Sequence, residues 1–320
     1  MQSITPRPLQ DDLPFGARIP GVTLEMLNDA ETRRQLNAIF EQQGMIVFED
    51  VEPSSEFQIA LSNVFGPLKE HPVKTVSRVD QDSMPGVIAI SNTDVGGIVE
   101  IDGRTLMSWQ PWHFDHSYNN ELNRAGVLRS VIVPPEGGLT GFADGIQIYH
   151  ALPASIRERI EPLNVIYSLN LYFKHQRFGL PKNFRVLKPK GPELMEVAKS
   201  MPRSIHPAVW TRPDGEKVLH MSPYGALGFE GMETEEGDAL FEEAWSAVVQ
   251  AMRPYHHEWK ETDMLIWDNW RMLHEAPGCS PEFERIMHRT TIKGDYGLGR
   301  FEAEAAGERV FHTRWPEATA

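Results

Sequence analysis

A histidine and an aspartate two residues apart, His113 and Asp115, are the pair in this sequence best suited to metal chemistry. In an extended chain, side chains at positions i and i+2 project from the same face, so both can bind one ion. One imidazole and one carboxylate leave the site incomplete, and a further ligand must come from elsewhere. Two histidines and a carboxylate with open positions are typical of non-heme Fe(II) oxygenases, whereas a zinc hydrolase needs only one open position.

The pair has a simpler explanation, because a chain with 12 histidines produces such spacings by chance. A histidine in a polar loop beside a capping aspartate would look the same. His116 is adjacent and competes as a ligand, but its i+3 position points away from His113 in a strand, which favours a place behind the ligands or on the surface. For the further ligand, the residues alone leave several histidines open: His220, His256, His257 and His274.

Composition and charge exclude several classes of protein. The chain has 320 residues, 41% of them hydrophobic, which is enough for a sizeable core. Its length fits two domains, or one β barrel with insertions. A net charge of -14 repels phosphate backbones, so we expect no nucleic-acid partner. The single cysteine, Cys279, fits a reducing compartment. Neither a signal peptide nor an apolar run of about 18 residues is visible, so we expect a cytoplasmic protein without a membrane partner.

The elements that must position these residues are strands surrounded by helices. Apolar spacing and capping residues predict helices over residues 31–43, 55–65, 149–160 and 234–252. Strands are predicted over MIVFED, GVLRSVIV, MLIW and RIMHRTTIKGDY, with a hairpin around the Asp-Gly turn of RPDGE. Residues 1–30 are predicted to form an irregular arm, 75–112 a long lid-like loop, and about 165–204 an insertion. This mixture predicts a β-rich core with peripheral helices.

Four motifs in a fixed order give the chain a family resemblance: WHFDHSY, GGLTGFADG, MLIWDNWRMLHEA and RIMHRTTIKGD. With them, the chain resembles the taurine/aryloxyalkanoate dioxygenase family of 2-oxoglutarate-dependent enzymes, from about residue 65 through residue 294. The resemblance implies a single dioxygenase domain over 1–320, mainly β with helical insertions around a double-stranded β-helix (jelly-roll) core. It also implies Fe(II), 2-oxoglutarate as cosubstrate, O2, and a homo-oligomer, dimeric or tetrameric.

The resemblance also implies roles for individual residues. His113 and Asp115 match the first two iron ligands, and His274 matches the distal histidine. Arg285 matches the arginine that binds the far carboxylate of 2-oxoglutarate, and Thr140 matches the threonine whose hydroxyl shares that carboxylate. An arginine suits this task because its planar fork fits a carboxylate in two-point contact.

Expected substrate contacts follow from the same resemblance. Arg289 matches a position that contacts either the cosubstrate or an anionic group of the substrate, and period two places it on the face of Arg285. The alternative is that both arginines are surface charges on an edge strand. His71 matches a histidine that holds the anionic group of the substrate, although a polar loop residue before a proline explains it equally well. Asn92 and Trp109 are expected to line the same pocket.

Some positions depart from the family pattern. Lys74 stands where taurine-oxidising relatives have a tyrosine, and Trp109 stands near a polar substrate contact, which argues against taurine as the substrate. Leu139 replaces a more usual acidic residue. Aromatic residues surround the metal motif and favour an aromatic or apolar substrate body, with packing of the lid as the alternative, especially for Trp112; they are Trp109, Trp112, Phe114 and Tyr118.

The sequence therefore predicts an Fe(II)/2-oxoglutarate-dependent dioxygenase that hydroxylates a small, anionic, partly aromatic or apolar molecule and releases succinate and CO2. Oxidative cleavage follows where the hydroxylated carbon carries a leaving group, and desaturation or epoxidation stays open. One alternative is a metal-dependent hydrolase that uses the same ligands, which would give Thr140 and Arg285 no task. Another is a non-catalytic ligand-binding jelly roll.

Overall fold

The structure, a computed structural model, describes residues 4–69, 78–80, 84, 86–92, 97–169, 173–189 and 201–302. The helices of this part are α1 (Leu24–Asn28), α2 (Ala30–Gln43), α3 (Ser55–Phe65), α4 (Gly145–Ala151), α5 (Ala154–Ile160) and α6 (Glu235–Ala251), with a 3-10 turn over Phe173–His175. The strands are β1 (Arg7–Pro8), β2 (Ala17–Pro20), β3 (Met45–Glu49), β4 (Ile88–Ser91), β5 (Ile98–Ile101), β6 (Arg104–Met107), β7 (Gln110–His113), β8 (Ala125–Ile132), β9 (Thr140–Asp144), β10 (Asn164–Tyr167), β11 (Phe184–Lys188), β12 (Ser204–Pro207), β13 (Val209–Thr211), β14 (Lys217–Leu219), β15 (Ala226–Phe229), β16 (Tyr255–His257), β17 (Met264–Asp268), β18 (Met272–Ala276), β19 (Ile286–Ile292) and β20 (Arg300–Phe301).

Two sheets carry the candidate site. The larger has seven strands in the order β1-β2-β3-β17-β8-β19-β4, and the smaller has four in the order β16-β9-β18-β7. Within them all neighbouring strands are antiparallel except β2 and β3. Apolar side chains from both sheets form one buried cluster, which places the sheets face to face. This arrangement confirms the predicted mainly β class with a double-stranded β-helix core.

The alternation of side chains along β17 shows how the larger sheet is buried on both faces. Leu265 and Trp267 join the cluster between the two sheets. Met264 and Ile266 point the other way, into a second cluster formed with helices α1 to α3. Because successive strand residues face opposite sides, a continuous apolar run such as MLIW fits a central strand covered on both faces.

The remaining elements surround this sandwich. Strands β15-β10-β12-β20 form a further sheet that packs with helices α4 to α6 around a third apolar cluster. A small sheet, β11-β5-β6, and the hairpin β13-β14 complete the strands. Among the described residues, no helix is long and apolar enough to cross a bilayer.

Several local predictions are confirmed by the helix ends. The predicted caps Ser54 of α3 and Thr234 of α6 each accept a hydrogen bond from a backbone N–H in the first turn. Asp29, which was not predicted, caps α2 in the same way. The prediction of one helix over 149–160 is wrong. The chain forms two helices there, α4 and α5, and Pro153 lies between them. Proline interrupts the helix because it has no backbone N–H to donate.

The prediction of an irregular loop over 75–112 is wrong for much of its described part. Strands β4 to β7 lie within residues 88–113, and β5 pairs with β11 from the predicted insertion. These strands have only four residues each, too few to show a clear alternation, and β5 pairs with β11 far along the chain. Residues 75–77, 81–83, 85 and 93–96 lie outside the described residues, and closure over the site stays a prediction.

Candidate metal centre and its cavity

The three predicted metal ligands converge within the smaller sheet. His113 ends β7 and stands directly opposite His274 of the neighbouring strand β18, with ring centroids 4.1 Å apart. One Asp115 carboxylate oxygen lies 3.5 Å from His274 Nε2, and the other lies 3.9 Å from His113 Nε2. One donor atom from each of the three residues lies within 4.8 Å of the others, and all three side chains are buried. Metal-ligating atoms at these separations can bind one ion together.

A buried asparagine that the sequence reading missed holds Asp115 in place. Asn269 lies in the turn between β17 and β18, and its Oδ1 accepts a hydrogen bond from the Asp115 backbone N–H at 2.8 Å. Its Nδ2 donates to the Asp115 carbonyl oxygen at 3.0 Å. The chain thus turns just after β7, with Phe114 between the ligands packed on His220 at 4.1 Å. The sequence signal that could have identified Asn269 is the WDN turn, which precedes His274.

Hydrogen bonds and charge keep the ligands in the forms that bind metal. The Pro111 carbonyl accepts from His113 Nδ1 at 2.8 Å, which directs the other ring nitrogen toward Asp115. Burial, followed by repulsion from His274, lowers the pKa of His113 to about 3. Burial alone would raise the pKa of Asp115, but Arg289 and His274 outweigh it and hold that pKa well below its usual range. A neutral imidazole and an ionised carboxylate are the species that coordinate metals.

Arg289 pairs with the carboxylate of Asp115. Its Nη1 donates to Asp115 Oδ1 at 2.9 Å, and its Nη2 donates to Oδ2. The guanidinium lies over the ring of Trp267, 5.4 Å from its centroid. The predicted contact of Arg289 with an anionic ligand is not tested, but its donors lie beside the metal ligands rather than on an exposed sheet edge.

Arg285 is a buried cation with an unmatched charge. Its Nε donates to the Gly138 carbonyl at 3.0 Å, and its Nη2 donates to Thr140 Oγ1 at 3.4 Å. No carboxylate oxygen of the described residues forms an ion pair with it, and burial lowers its pKa to about 10. An ionised group in such a place is costly unless it is paired, so this guanidinium favours a bound anion.

A cavity of about 200 Å³ connects these groups. Its polar wall includes His113, His274, Thr140 and both arginines. Its apolar wall is formed by seven other side chains: Ile90, Trp109, Leu128, Phe173, Trp267, Ala276 and Met287. The period-two prediction that Arg285 and Arg289 share a face is confirmed, because both line this space, as does Met287 between them.

The predicted substrate contacts have different surroundings. Trp109 lines the cavity and packs against Phe173 and Phe184, with ring centroids 4.9 and 5.2 Å apart. Asn92 does not line it. Its Oδ1 instead accepts from the Arg285 backbone N–H at 2.9 Å, and its Nδ2 donates to the Phe283 carbonyl at 2.7 Å. It therefore supports the segment that carries Arg285. His71 and Lys74 lie outside the described residues.

Phe114 and Trp112, although close to the metal motif in sequence, do not line the cavity. Phe114 is buried in the cluster around α4 to α6, and Trp112 packs against that cluster from its edge. The expected pocket role does not hold for Trp112, for which packing was the alternative. His116 is buried beside Tyr118, with ring centroids 5.8 Å apart, so it is not a surface residue.

Comparison with known proteins gives a consistent family. The family model described as "Taurine catabolism dioxygenase TauD, TfdA family" matches residues 5–291. The (S)-phenoxypropionate/alpha-ketoglutarate-dioxygenase of Sphingobium herbicidovorans is 30% identical, with 89% of this chain and 93% of that protein covered. The alpha-ketoglutarate-dependent 2,4-dichlorophenoxyacetate dioxygenase of Cupriavidus pinatubonensis is 28% identical, covering 88% and 95%. The crystal structure of a taurine dioxygenase from Burkholderia xenovorans superposes with a TM-score of 0.68 at 25% identity, covering 92% of both chains.

Proposed function

The chain belongs to the TauD/TfdA family of 2-oxoglutarate-dependent dioxygenases, and we propose that it hydroxylates a small aryloxyalkanoate or related aryl carboxylate. As a member of this family it is a non-heme iron enzyme that uses Fe(II), 2-oxoglutarate and O2. Neither a hydrolase nor a non-catalytic jelly roll needs this cosubstrate. The proposal concerns the substrate and the residues that hold each component.

His113, Asp115 and His274 would hold the iron. They supply one carboxylate and two imidazoles, the set that suits a ferrous site with open coordination positions, and their donor atoms are close enough to share one ion. Bound iron supplies the coupled chemistry in which 2-oxoglutarate and O2 give succinate and CO2 while one oxygen atom enters a substrate C–H bond. Every other task falls to protein side chains, which bind and orient the reactants and exclude water.

Arg285 and Thr140 would bind the far carboxylate of 2-oxoglutarate. The guanidinium is buried without a carboxylate partner among the described residues and lines the same cavity as the metal ligands. The Thr140 hydroxyl lies 3.4 Å from one of its nitrogens, so one carboxylate can contact both groups. The keto-acid end of 2-oxoglutarate would bind beside Asp115, close to Arg289. The molecule would then extend toward Arg285, where its far carboxylate binds.

Arg289 and the apolar wall would bind the substrate. Arg289 donates to Asp115 through Nη1 and Nη2, but its buried Nε has no hydrogen-bond partner among the described residues, so a substrate anion can be held there beside the metal ligands. Trp109 and Phe173 face the same space and offer flat surfaces to an aryl ring. A second cation beyond the one assigned to the cosubstrate, opposite an aromatic wall, is the observation that supports an aryl carboxylate. The two relatives named for phenoxypropionate and 2,4-dichlorophenoxyacetate support the same class.

The test is a substrate panel scored for succinate formation with Fe(II), 2-oxoglutarate and O2. It should contain aryloxyalkanoates, aryl carboxylates, alkylsulfonates and sulfate esters, with the primary amide of each active acid as a neutral control. We expect an aryloxyalkanoate or aryl carboxylate to raise succinate formation, its amide to fail, and His274→Ala to abolish the coupled reaction. Stimulation by alkylsulfonates or sulfate esters alone, or equal activity of acid and amide, would refute the proposed substrate class.

A further inference from the structure

We propose that Trp259 is a positioning residue for 2-oxoglutarate, because its indole N–H fixes the Thr140 hydroxyl as a hydrogen-bond donor to the far carboxylate. This inference rests on the proposed cosubstrate site at Arg285 and Thr140. It assigns a task to a buried tryptophan that does not itself line the cavity.

Trp259 reaches Thr140 from the neighbouring strand. Thr140 begins β9 and stands opposite His257 at the end of β16, and Trp259 follows two residues later. The indole Nε1 donates to Thr140 Oγ1 at 3.0 Å, and both residues are buried. The two positions are 119 residues apart in sequence, so the contact depends on the pairing of β9 with β16.

The chemistry of the three groups determines the direction of these bonds. A hydroxyl has one proton to donate and two lone pairs, whereas an indole N–H and a guanidinium can only donate. Thr140 Oγ1 receives Trp259 Nε1 at 3.0 Å and Arg285 Nη2 at 3.4 Å. Its own proton has no hydrogen-bonded acceptor among the described residues, and Thr140 lines the cavity. The hydroxyl therefore presents a donor to the cavity, beside the Arg285 guanidinium.

The indole itself is held in a fixed position. The Trp259 ring packs edge-on against the His257 ring, with centroids 4.6 Å apart and planes at 88°. His257 Nδ1 lies 2.9 Å from the Tyr255 hydroxyl, and its Nε2 lies 3.3 Å from Asp263 Oδ2. The contact with the Tyr255 hydroxyl holds the His257 ring, so Trp259 packs against a fixed surface.

The consequence is selectivity for a cosubstrate with a carboxylate at its far end. An anion accepts from both Thr140 and Arg285, whereas a methyl group at the same place would leave these buried donors without an acceptor. Without the indole N–H, the hydroxyl loses the bond that fixes its rotation. We expect Trp259→Phe to weaken 2-oxoglutarate binding by roughly threefold to tenfold, the usual value of one hydrogen bond.

The experiment compares two keto acids on the Mn(II)-loaded protein by calorimetry without O2, so that binding is measured without turnover. 2-Oxoglutarate has the far carboxylate, and 2-oxopentanoate has the same metal-binding end without it. We expect Trp259→Phe to weaken 2-oxoglutarate alone and to cause no further loss in a Thr140→Val background. Trp245→Phe makes the same ring change at a buried tryptophan in the cluster around α6 and should leave both affinities unchanged.

Each other outcome has a clear meaning. Equal weakening of both keto acids by Trp259→Phe, no weakening of 2-oxoglutarate, or losses that add with Thr140→Val would overturn the role of Trp259. Wild-type protein that does not prefer 2-oxoglutarate to 2-oxopentanoate would overturn the proposed cosubstrate site as well. If Trp259→Phe does not fold, benzothienylalanine at position 259 removes the N–H and keeps the two-ring shape, and the same comparison applies.

Discussion

At the scale of single residues, the site separates two arginines that the sequence presents as equivalent. Arg289 lies on β19, Arg285 immediately precedes that strand, and both side chains line one cavity. Arg289 has a carboxylate partner in Asp115, whereas Arg285 bonds only to a carbonyl and a hydroxyl among the described residues. Because an unmatched buried charge favours binding of an anion, the two arginines have different tasks in the proposed reaction.

The first prediction follows from the unmatched charge. Arg285→Gln should raise the KM for 2-oxoglutarate by roughly tenfold to a hundredfold, because it removes a charged hydrogen bond to a carboxylate, while the metal ligands stay in place. Steady-state kinetics with varied 2-oxoglutarate will measure this. Arg285→Lys is the matched variant. It should raise the KM for 2-oxoglutarate less, because it keeps the charge but cannot donate two parallel hydrogen bonds to the carboxylate. An unchanged KM in Arg285→Gln would remove the arginine from the cosubstrate site.

The sequence could predict part of this site at the residue scale. Closeness in sequence was enough to pair His113 with Asp115, although Asp115 lies in the turn after β7 and not in an extended strand as period two assumed. His274 required the family resemblance, since its position opposite His113 comes from the pairing of β7 with β18. Asn269 and Trp259 were missed, because each acts through a hydrogen bond to a residue more than a hundred positions away.

At the scale of elements, the face of β8 beside β17 is fitted to the ring of Trp267. Gly126 of β8 pairs in register with Trp267 of β17. A Cβ at position 126 would lie 2.4 and 2.6 Å from two atoms of the buried indole ring. The same ring lies 5.0 Å from the ring of His274 and beneath Arg289. A glycine in a central strand therefore sets the position of a ring that supports the metal site.

The second prediction tests this fit. Gly126→Ala should lower the free energy of unfolding by about 1–3 kcal/mol, because the added methyl overpacks a rigid interior. It should also weaken Mn(II) binding, since a displaced Trp267 ring pushes on His274 and Arg289. Urea unfolding and metal titration will measure the two effects. Trp267→Phe should relieve the clash, so the double variant should lose less stability than the sum of the single changes. Additive losses would contradict the fit.

The sequence predicted elements with local signals better than elements defined by distant partners. Helices α2, α3 and α6 have side-chain caps and apolar spacing that can be read within a few residues. Strands β5 and β6 have four residues each, and their sheet is completed by β11 from a distant segment. A strand this short shows too few alternations to be told from a loop.

At the scale of the whole molecule, the unpaired cation in the cavity among the described residues, Arg285, opposes the net charge of the protein. The chain has a formal net charge of -14, yet the proposed ligands are anions. Asp115 pairs with Arg289, and Glu275 also lines the cavity, but Arg285 has no carboxylate partner among the described residues, and low-dielectric walls strengthen its local field relative to distant surface carboxylates. The net charge was sufficient to argue against nucleic acid, but it could not predict the sign of this interior, which depends on how β19 is buried.

Two further buried histidines make stability depend on pH. His206 of β12 and His220, which follows β14, lie with ring centroids 6.3 Å apart, and both pack against Tyr296. Burial, only partly offset by hydrogen bonds to the Asn119 and Ser117 backbone, lowers the pKa of His206 to about 4. Burial and then His206 hold the pKa of His220 well below its usual value. Both rings are therefore neutral in the folded protein at pH 6.

The third prediction is that the protein loses stability as pH falls from about 6.5 toward 4. In this range a histidine of the unfolded chain, with a pKa near 6.5, takes up a proton, whereas folded His206 stays neutral until about pH 4. Each such histidine therefore lowers the free energy of unfolding by up to about 1.4 kcal/mol per pH unit. Urea unfolding at several pH values will measure the slope. His206→Gln should reduce the slope of stability against pH by nearly the contribution of one proton. A slope that is the same in wild type and His206→Gln would show that folding does not lower the pKa of this ring.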